Sequence, residues 1–251
     1  MAGLNSNTKL LLHCDGADAG TTFTDSSFAP HTVTANGNAQ TSTTTPKFGT
    51  ACALFDGTGD YLDSVDSADW DCFASNADNW TIDFWIKYTS ATGAPAGGAR
   101  LMNQWEGNND YWTIHQTNGG TYFYLVTGGS VVVDASGATT ISDDSQHHLA
   151  LVKKANEYAL YLDGTQISYV QDDDVDTYAY SLWIGARQDG AGSPVEALAG
   201  RMDEIRIQHS NYFNASPNVG VTDTITVPTS AYSKDVGGNP MFFSSGGVTV
   251  G

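Results

Sequence analysis

Glu106, Glu157, Glu196 and Glu204 are the only glutamates in this chain of 251 residues, and they are scattered singly. Cleaving a glycosidic bond takes two carboxyl groups facing one sugar linkage, one as acid and one as nucleophile or base. The nearest acidic neighbours, Asp203 and Glu204, are adjacent in a strand-like segment and are expected to point to opposite faces. Glycosidase chemistry therefore lacks its pair. His147 and His148 are also adjacent and are expected to face opposite ways, so they cannot converge on one metal; one ring should be buried at a sheet edge. The chain contains no Gly-x-Ser-x-Gly elbow, no Walker motif and no dinucleotide fingerprint, and Gly57-Thr58-Gly59 reads as a turn because no amphipathic helix follows it.

Binding chemistry is better represented. Trp105, Tyr111, Trp112, Tyr122 and Tyr124 form an aromatic group that suits either a sugar-stacking platform or the core of a sheet, and Trp105, Tyr111 and Trp112 are the glycan-contact candidates. Asp15 lies in phase with Leu11 and His13, and Asp203 with Ile205 and Ile207, so each carboxylate is expected on its strand's apolar side, where it needs a partner. The acidic run Gln171 to Asp176 lacks the EF-hand spacing and its glycine, and reads as a solvated loop.

Positioning these residues calls for strands. Apolar runs recur between Gly, Asn, Asp, Ser and Thr clusters, and no segment sustains a 3.6-residue period long enough for a major helix. In WTIDFWIKY, Trp80, Ile82, Phe84, Ile86 and Tyr88 share one face. In HHLALVKK, Leu149 and Leu151 oppose Ala150 and Val152, and YALYLDG ends in Asp163-Gly164, a pair suited to a type I′ turn. The fold class is all-β: two packed antiparallel sheets, with a closed barrel as the rival. A net charge of −18 disfavours nucleic acid and anionic membrane as partners. Cys14, Cys52 and Cys72 sit in apolar runs and are expected to be buried thiols. The N-terminal apolar run, Leu10 to Leu12, is too short for a signal peptide or a membrane span, so export and membrane insertion are not expected.

Taken in order, LLLHCDG (Leu10 to Gly16), TDSS (Thr24 to Ser27), KFGTACALFDGTGDYL (Lys47 to Leu62), WTIDFWIKY (Trp80 to Tyr88), HHLALVKKANEYALYLDG (His147 to Gly164), LWIGAR (Leu182 to Arg187) and GRMDEIRI (Gly200 to Ile207) resemble the laminin-G-like, concanavalin A-like jelly-roll domains. The resemblance implies a sandwich of two curved sheets over residues 10–212, after an N-terminal segment 1–9, with the first and last strands close together. That closeness would bring Asp15 and Asp203 onto one calcium ion, with Asp25 and loop carbonyls completing the shell; the alternative is that the aspartates accept turn amides or pair with Arg201 or Arg206. The glucanase branch of the family carries its carboxylates as E-x-D-x-x-E on one strand, a run this chain lacks.

Residues 213–251 are poor in charge and are read as an extended C-terminal arm, with Met241, Phe242 and Phe243 docking on a partner or on another copy of the chain. Domains of this kind are common in bacterial surface proteins and in bacteriophage structural proteins. With no export signal expected, the sequence reads as a non-enzymatic bacteriophage virion protein, a capsid decoration or a tail or fibre module. Its partners would be other virion proteins, copies of itself or a host surface glycan. A bacterial carbohydrate-binding module is the alternative.

Overall fold

Strict alternation along one strand decides which way the molecule faces. In the computed structural model, which describes residues 5–233, the strand Asn79–Tyr88 buries Trp80, Ile82, Phe84, Ile86 and Tyr88 in a single core and turns Thr81, Asp83, Trp85 and Lys87 away from it.

With strands numbered in chain order, a nine-stranded sheet runs β14 (Thr165–Gln166), β13 (Glu157–Leu162), β12 (His147–Lys154), β7 (Asn79–Tyr88), β19 (Ala199–Gln208), β5 (Cys52–Asp56) and β4 (Gln40–Ser42). Off that path, β1 (Thr8–Leu12) pairs with β19 and β15 (Val170–Gln171) pairs with β13. The facing eight-stranded sheet runs β11 (Ser130–Gly137), β10 (Gly120–Thr127), β9 (Tyr111–Thr117), β8 (Ala99–Trp105), β16 (Leu182–Ile184), β6 (Tyr61–Ser64), β3 (Thr32–Asn36) and β2 (Thr22–Thr24). A small hairpin of β17 (Arg187–Gln188) and β18 (Pro194–Val195) follows β16. All the pairings are antiparallel, and the inner faces meet in one core where Leu149, Leu151 and Phe84 pack with Trp112, Ile114 and Phe123. This is the jelly-roll sandwich. Asp163 and Gly164 both have positive φ, +49° and +83°, as the expected two-residue hairpin requires. The cysteines are free and buried.

A bulge in β19 rearranges the next lane. Register against β7 shifts between Asp203 and Arg206, with Glu204 at φ +51°. Met202 and Ile205 consequently both reach the core, while Asp203 and Arg206 lie on the outer side, opposite Trp85 and Asp83. Two expectations are corrected here: Asp203 is not in phase with Ile205 and Ile207, and Asp203 and Glu204 do not point to opposite faces. The bulge also divides the edge beside β19, which pairs with β5 through Met202 and with β1 from Ile205 onward. The first and last strands are therefore neighbours.

The outer face of the nine-stranded sheet carries a fully buried ion pair. Asp83 accepts from Arg206 Nε at 2.8 Å and from His148 Nε2 at 3.0 Å, and an Arg206 terminal nitrogen lies 2.7 Å from the same carboxylate as an ion-pair contact. Burial alone would raise the Asp83 carboxyl; the Arg206 guanidinium and the His148 bond bring it below the usual range. What shields these charges from water is the chain beyond β19. Tyr212 and Tyr232 place their rings 3.5 Å and 3.9 Å from the Arg206 guanidinium carbon, and the Tyr232 hydroxyl donates to Asp83. Ala215 and Ile225 pack on Ala150, Val152, Ala159 and Tyr161, and Tyr161 donates to Asp223 at 2.7 Å.

Packing against the sheet continues through Tyr232, so the segment 213–233 lies on the outer face of the sandwich and is not the extended arm expected beyond 212. Met241, Phe242 and Phe243 lie outside the described residues.

Breaking the buried pair from the acid side is expected to be severe. Asp83→Ala strands a guanidinium away from water and should cost about 3–5 kcal/mol in urea unfolding, whereas Tyr232→Phe, which removes one hydroxyl, should cost about 1 kcal/mol. An Asp83→Ala protein as stable as wild type would show that the pair does not hold this face together.

Candidate functional site

Opposite the sealed face, the outer side of the eight-stranded sheet is lined by rings. Register places Tyr61 and Asp63 on β6, Trp183 on β16, Asn103 and Trp105 on β8, Tyr111, Thr113 and His115 on β9, and Tyr122 and Tyr124 on β10 all on this side, because their strand neighbours Leu62, Leu182, Ile184, Trp112, Ile114 and Phe123 enter the core. Trp105 and Tyr111 stack at 3.7 Å with planes 15° apart, Tyr61 and Trp183 at 3.8 Å and 10°, and His115 and Tyr122 at 4.8 Å and 15°. Trp105 is 5% exposed, lying between Tyr111 and the Arg187 guanidinium, whose carbon is 4.5 Å from its ring. It serves as the floor of the stack. Tyr111, Tyr122 and Tyr124 are half-buried and leave ring surface to solvent.

One charged cluster at this face is fixed in place. Glu196, in the turn after β18, accepts from Arg100 Nε and, at 2.6 Å, from an Arg187 terminal nitrogen. Burial would raise its carboxyl, but the bonds and charge of Arg187 and Arg100 hold it below the usual glutamate range. His115 is pushed down to about 3, chiefly by burial and further by Arg100, and is neutral at ordinary pH. The result is a set of flat apolar surfaces with guanidinium N–H groups and phenol hydroxyls at their edges, the combination that packs a pyranose ring and bonds its hydroxyls.

The structure divides the aromatic candidates. Trp105 and Tyr111 are together on the outer face, whereas Trp112 is fully buried in the core, where its indole donates to Gln104 Oε1 at 2.7 Å. Trp112 cannot touch a ligand. Arg100, Arg187 and Glu196 were not among the sequence candidates. The only signal for them is Arg187 and Glu196 flanking a short Gly-rich turn, which does not reveal that the turn folds back over β8.

The three aspartates do not share a centre. Asp15 accepts from Thr50 Oγ1 at 2.9 Å, from the Ala51 amide at 3.2 Å and from the Thr50 amide, and these bonds outweigh burial and hold it below the usual range. Asp203 Oδ2 accepts the Lys47 and Phe48 amides at 2.7 and 3.1 Å, and Oδ1 the Glu204 amide at 2.9 Å. Asp25 binds the amides of Leu11, Ser27 and His31 at 3.0, 2.9 and 2.7 Å. Asp15 and Asp203 thus pin the two ends of the 47–51 loop, which leads into β5. Gly49, at φ +62°, is required there because a Cβ would run into the Asp15 carboxylate. Among the described residues no group of three or more His, Cys, Asp or Glu side chains converges as a metal site, so these donors do not fit a common calcium shell. His147 and His148 face opposite ways as expected, His147 between Asp143 and Asp163 and His148 buried on Asp83.

A family model described as the concanavalin A-like lectin/glucanases superfamily matches residues 56–213. The chain belongs to this superfamily. No curated protein sequence matches it. Among solved structures, this superfamily member is similar to the binding domain of botulinum neurotoxin DC in complex with SialylT, with TM-score 0.62 and 13% identity over 83% of this chain and 49% of that one. The same domain in complex with rat synaptotagmin II gives TM-score 0.63 and 14% identity over 83% and 49%. The botulinum neurotoxin serotype D binding domain gives 0.61 and 15% over 83% and 49%. The chain spans about half the length of these solved chains, and the likeness shows a shared lectin-like fold.

Asp203 sets an expected pH dependence. Burial raises its carboxyl to about 7 against the opposition of its amide donors. A folded value above the unfolded ~3.9 stabilises at low pH and is lost as pH rises through about 7. His13, raised by its bond to Glu204, acts with the same sign. Urea unfolding should therefore show stability falling by about 1–3 kcal/mol from pH 5 to 8, with a smaller fall in Asp203→Asn. An equal fall in the variant would contradict the assignment.

Proposed function

We propose that this chain is a non-enzymatic recognition module whose eight-stranded outer face binds glycan, and that it serves as a decoration or adhesion component of a bacteriophage virion. The observation that carries the recognition reading is the stack of Arg187, Trp105 and Tyr111, which presents one half-buried ring face beside a fixed Arg100–Glu196–Arg187 cluster. A flat ring whose support is locked by packing loses little freedom when a sugar settles on it. The solved domains, of which the shared fold makes up about half, are described in complexes with SialylT and with synaptotagmin II, which is in keeping with a recognition role.

Glu196 also argues against catalysis at this face. Held between two guanidiniums and below the usual range, it has no proton to give a leaving group at neutral pH. The virion setting is supported by the sequence resemblance to domains common in bacteriophage structural proteins. It is tested by whether the chain occupies purified particles at a fixed stoichiometry.

On a glycan array, the full chain should bind a restricted set of sugars. Tyr111→Ala should lose about tenfold in affinity with unchanged circular dichroism, a loss on the order of one stacking contact. Incubation with the bound glycan should release no reducing sugar. Binding that survives Tyr111→Ala and Tyr122→Ala together would remove the site, and turnover would remove the non-enzymatic reading.

A further inference from the structure

The nine-stranded sheet keeps a second polar surface at the uncovered end of its outer face, separate from the aromatic site. Lys87 on β7 and Arg201 on β19 are direct cross-strand partners. Lys47, in the loop before β5, lays its ammonium 3.6 Å from the centre of the Trp85 ring. These residues and Asp203 line one narrow crevice. In a chain with ten Lys and Arg residues and a net charge of −18, three cations at one point need an explanation, because like charges facing each other across strands are destabilising.

Nearby acids do not close short ion pairs on these cations. Among the described residues, Arg201 and Lys47 have no carboxylate within salt-bridge distance, and the partner of Lys87 is the exposed Asp144 at 3.9 Å. Arg201 Nε is buried without an acceptor. So is Nε1 of Trp85, a residue only 6% exposed. A buried donor without an acceptor carries its full desolvation cost, and two of them beside three cations make oxygen atoms the partners that would suit this position. Asp203 does not provide them, since both of its oxygens are engaged by the amides of Lys47, Phe48 and Glu204. Asp163, the other acid near Lys47, is bound to His147 at 2.6 Å.

We infer that this crevice is a binding site for a small oxyanion, one of its oxygens accepting from Trp85 Nε1 and Arg201 Nε while Lys47 and Lys87 neutralise its charge. The space in the open crevice, about 10 Å³, is the size of one oxygen atom with its hydrogens and excludes a whole sugar ring, so only one oxygen of an anion would enter it.

The test is a titration of the full chain, at constant ionic strength set with sodium chloride, with inorganic phosphate and separately with acetate. The Trp85 indole N–H resonance, assigned through Trp85→Phe, is followed by NMR. A saturable shift is expected with at least one of the two anions, and which one responds identifies the headgroup. Arg201→Gln should weaken that response by roughly tenfold, the loss of one charge-assisted hydrogen bond. The same variant, in buffer free of both anions, should melt no lower than wild type, because it relieves the repulsion with Lys87; Lys87→Gln is the second variant should Arg201→Gln fail to fold. A shift that is linear in concentration, that chloride reproduces, or that Arg201→Gln leaves unchanged would overturn the site. So would a large fall in melting temperature for both variants in anion-free buffer, which would make the cations structural.

Discussion

The buried pair of Asp83 and Arg206 constrains the rest of the molecule. Two opposite charges on the outer face of a sheet are worth little while water reaches them, and once enclosed each depends on the other, because losing either partner strands a buried charge. Here Tyr212, Phe213 and Tyr232 close over the pair, and His148 and the Tyr232 hydroxyl complete the shell of Asp83. One side of the sandwich is thereby committed to holding its own chain in place. On the other side Tyr61 stacks on Trp183 and Tyr111 on Trp105, and among the described residues no segment seals that face as Tyr212, Phe213 and Tyr232 seal the first.

The bulge at Asp203 and Glu204 ties the sealed face to the molecule's edge. It brings Glu204 to His13 Nδ1 at 2.7 Å and to the Tyr232 amide at 2.8 Å, so that the first strand, the last strand and the closing segment meet at one carboxylate. It also sets Asp203 to collect the amides of the 47–51 loop. Acids that look like metal ligands on paper act instead as backbone acceptors, which is how a turn between two lanes of a sheet satisfies its amides without a helix or a cation.

The long strands were legible in the sequence because alternation over eight or ten residues is a strong signal: Asn79–Tyr88, His147–Lys154 and the Asp163-Gly164 turn follow it. The short Thr- and Asn-rich strands Thr22–Thr24, Thr32–Asn36 and Gln40–Ser42 were not, since each is too short and too polar to show an apolar alternation. A bulge leaves no mark in composition, so the phase of Asp203 was misread. Tyr111 and Trp112 could be assigned to opposite faces by adjacency, but which one enters the core depends on β9 lying between β8 and β10. Phe213 and Tyr232 carry no local sign that they cover a charge some hundred or more positions earlier in the sequence.

The central claim is that one face is closed by the chain itself and the other is offered to a ligand. Hydrogen exchange on the full chain, free and saturated with an array-identified glycan, addresses both halves at once. The account predicts that, without ligand, the bonded amides of Tyr212, Ala215, Ile225 and Tyr232 exchange slowly, as those of β7 and β19 do, and that glycan adds protection in 105–124 and 183–196 alone. Fast exchange of those amides, or ligand protection appearing over Asp83 and Arg206 instead, would contradict it.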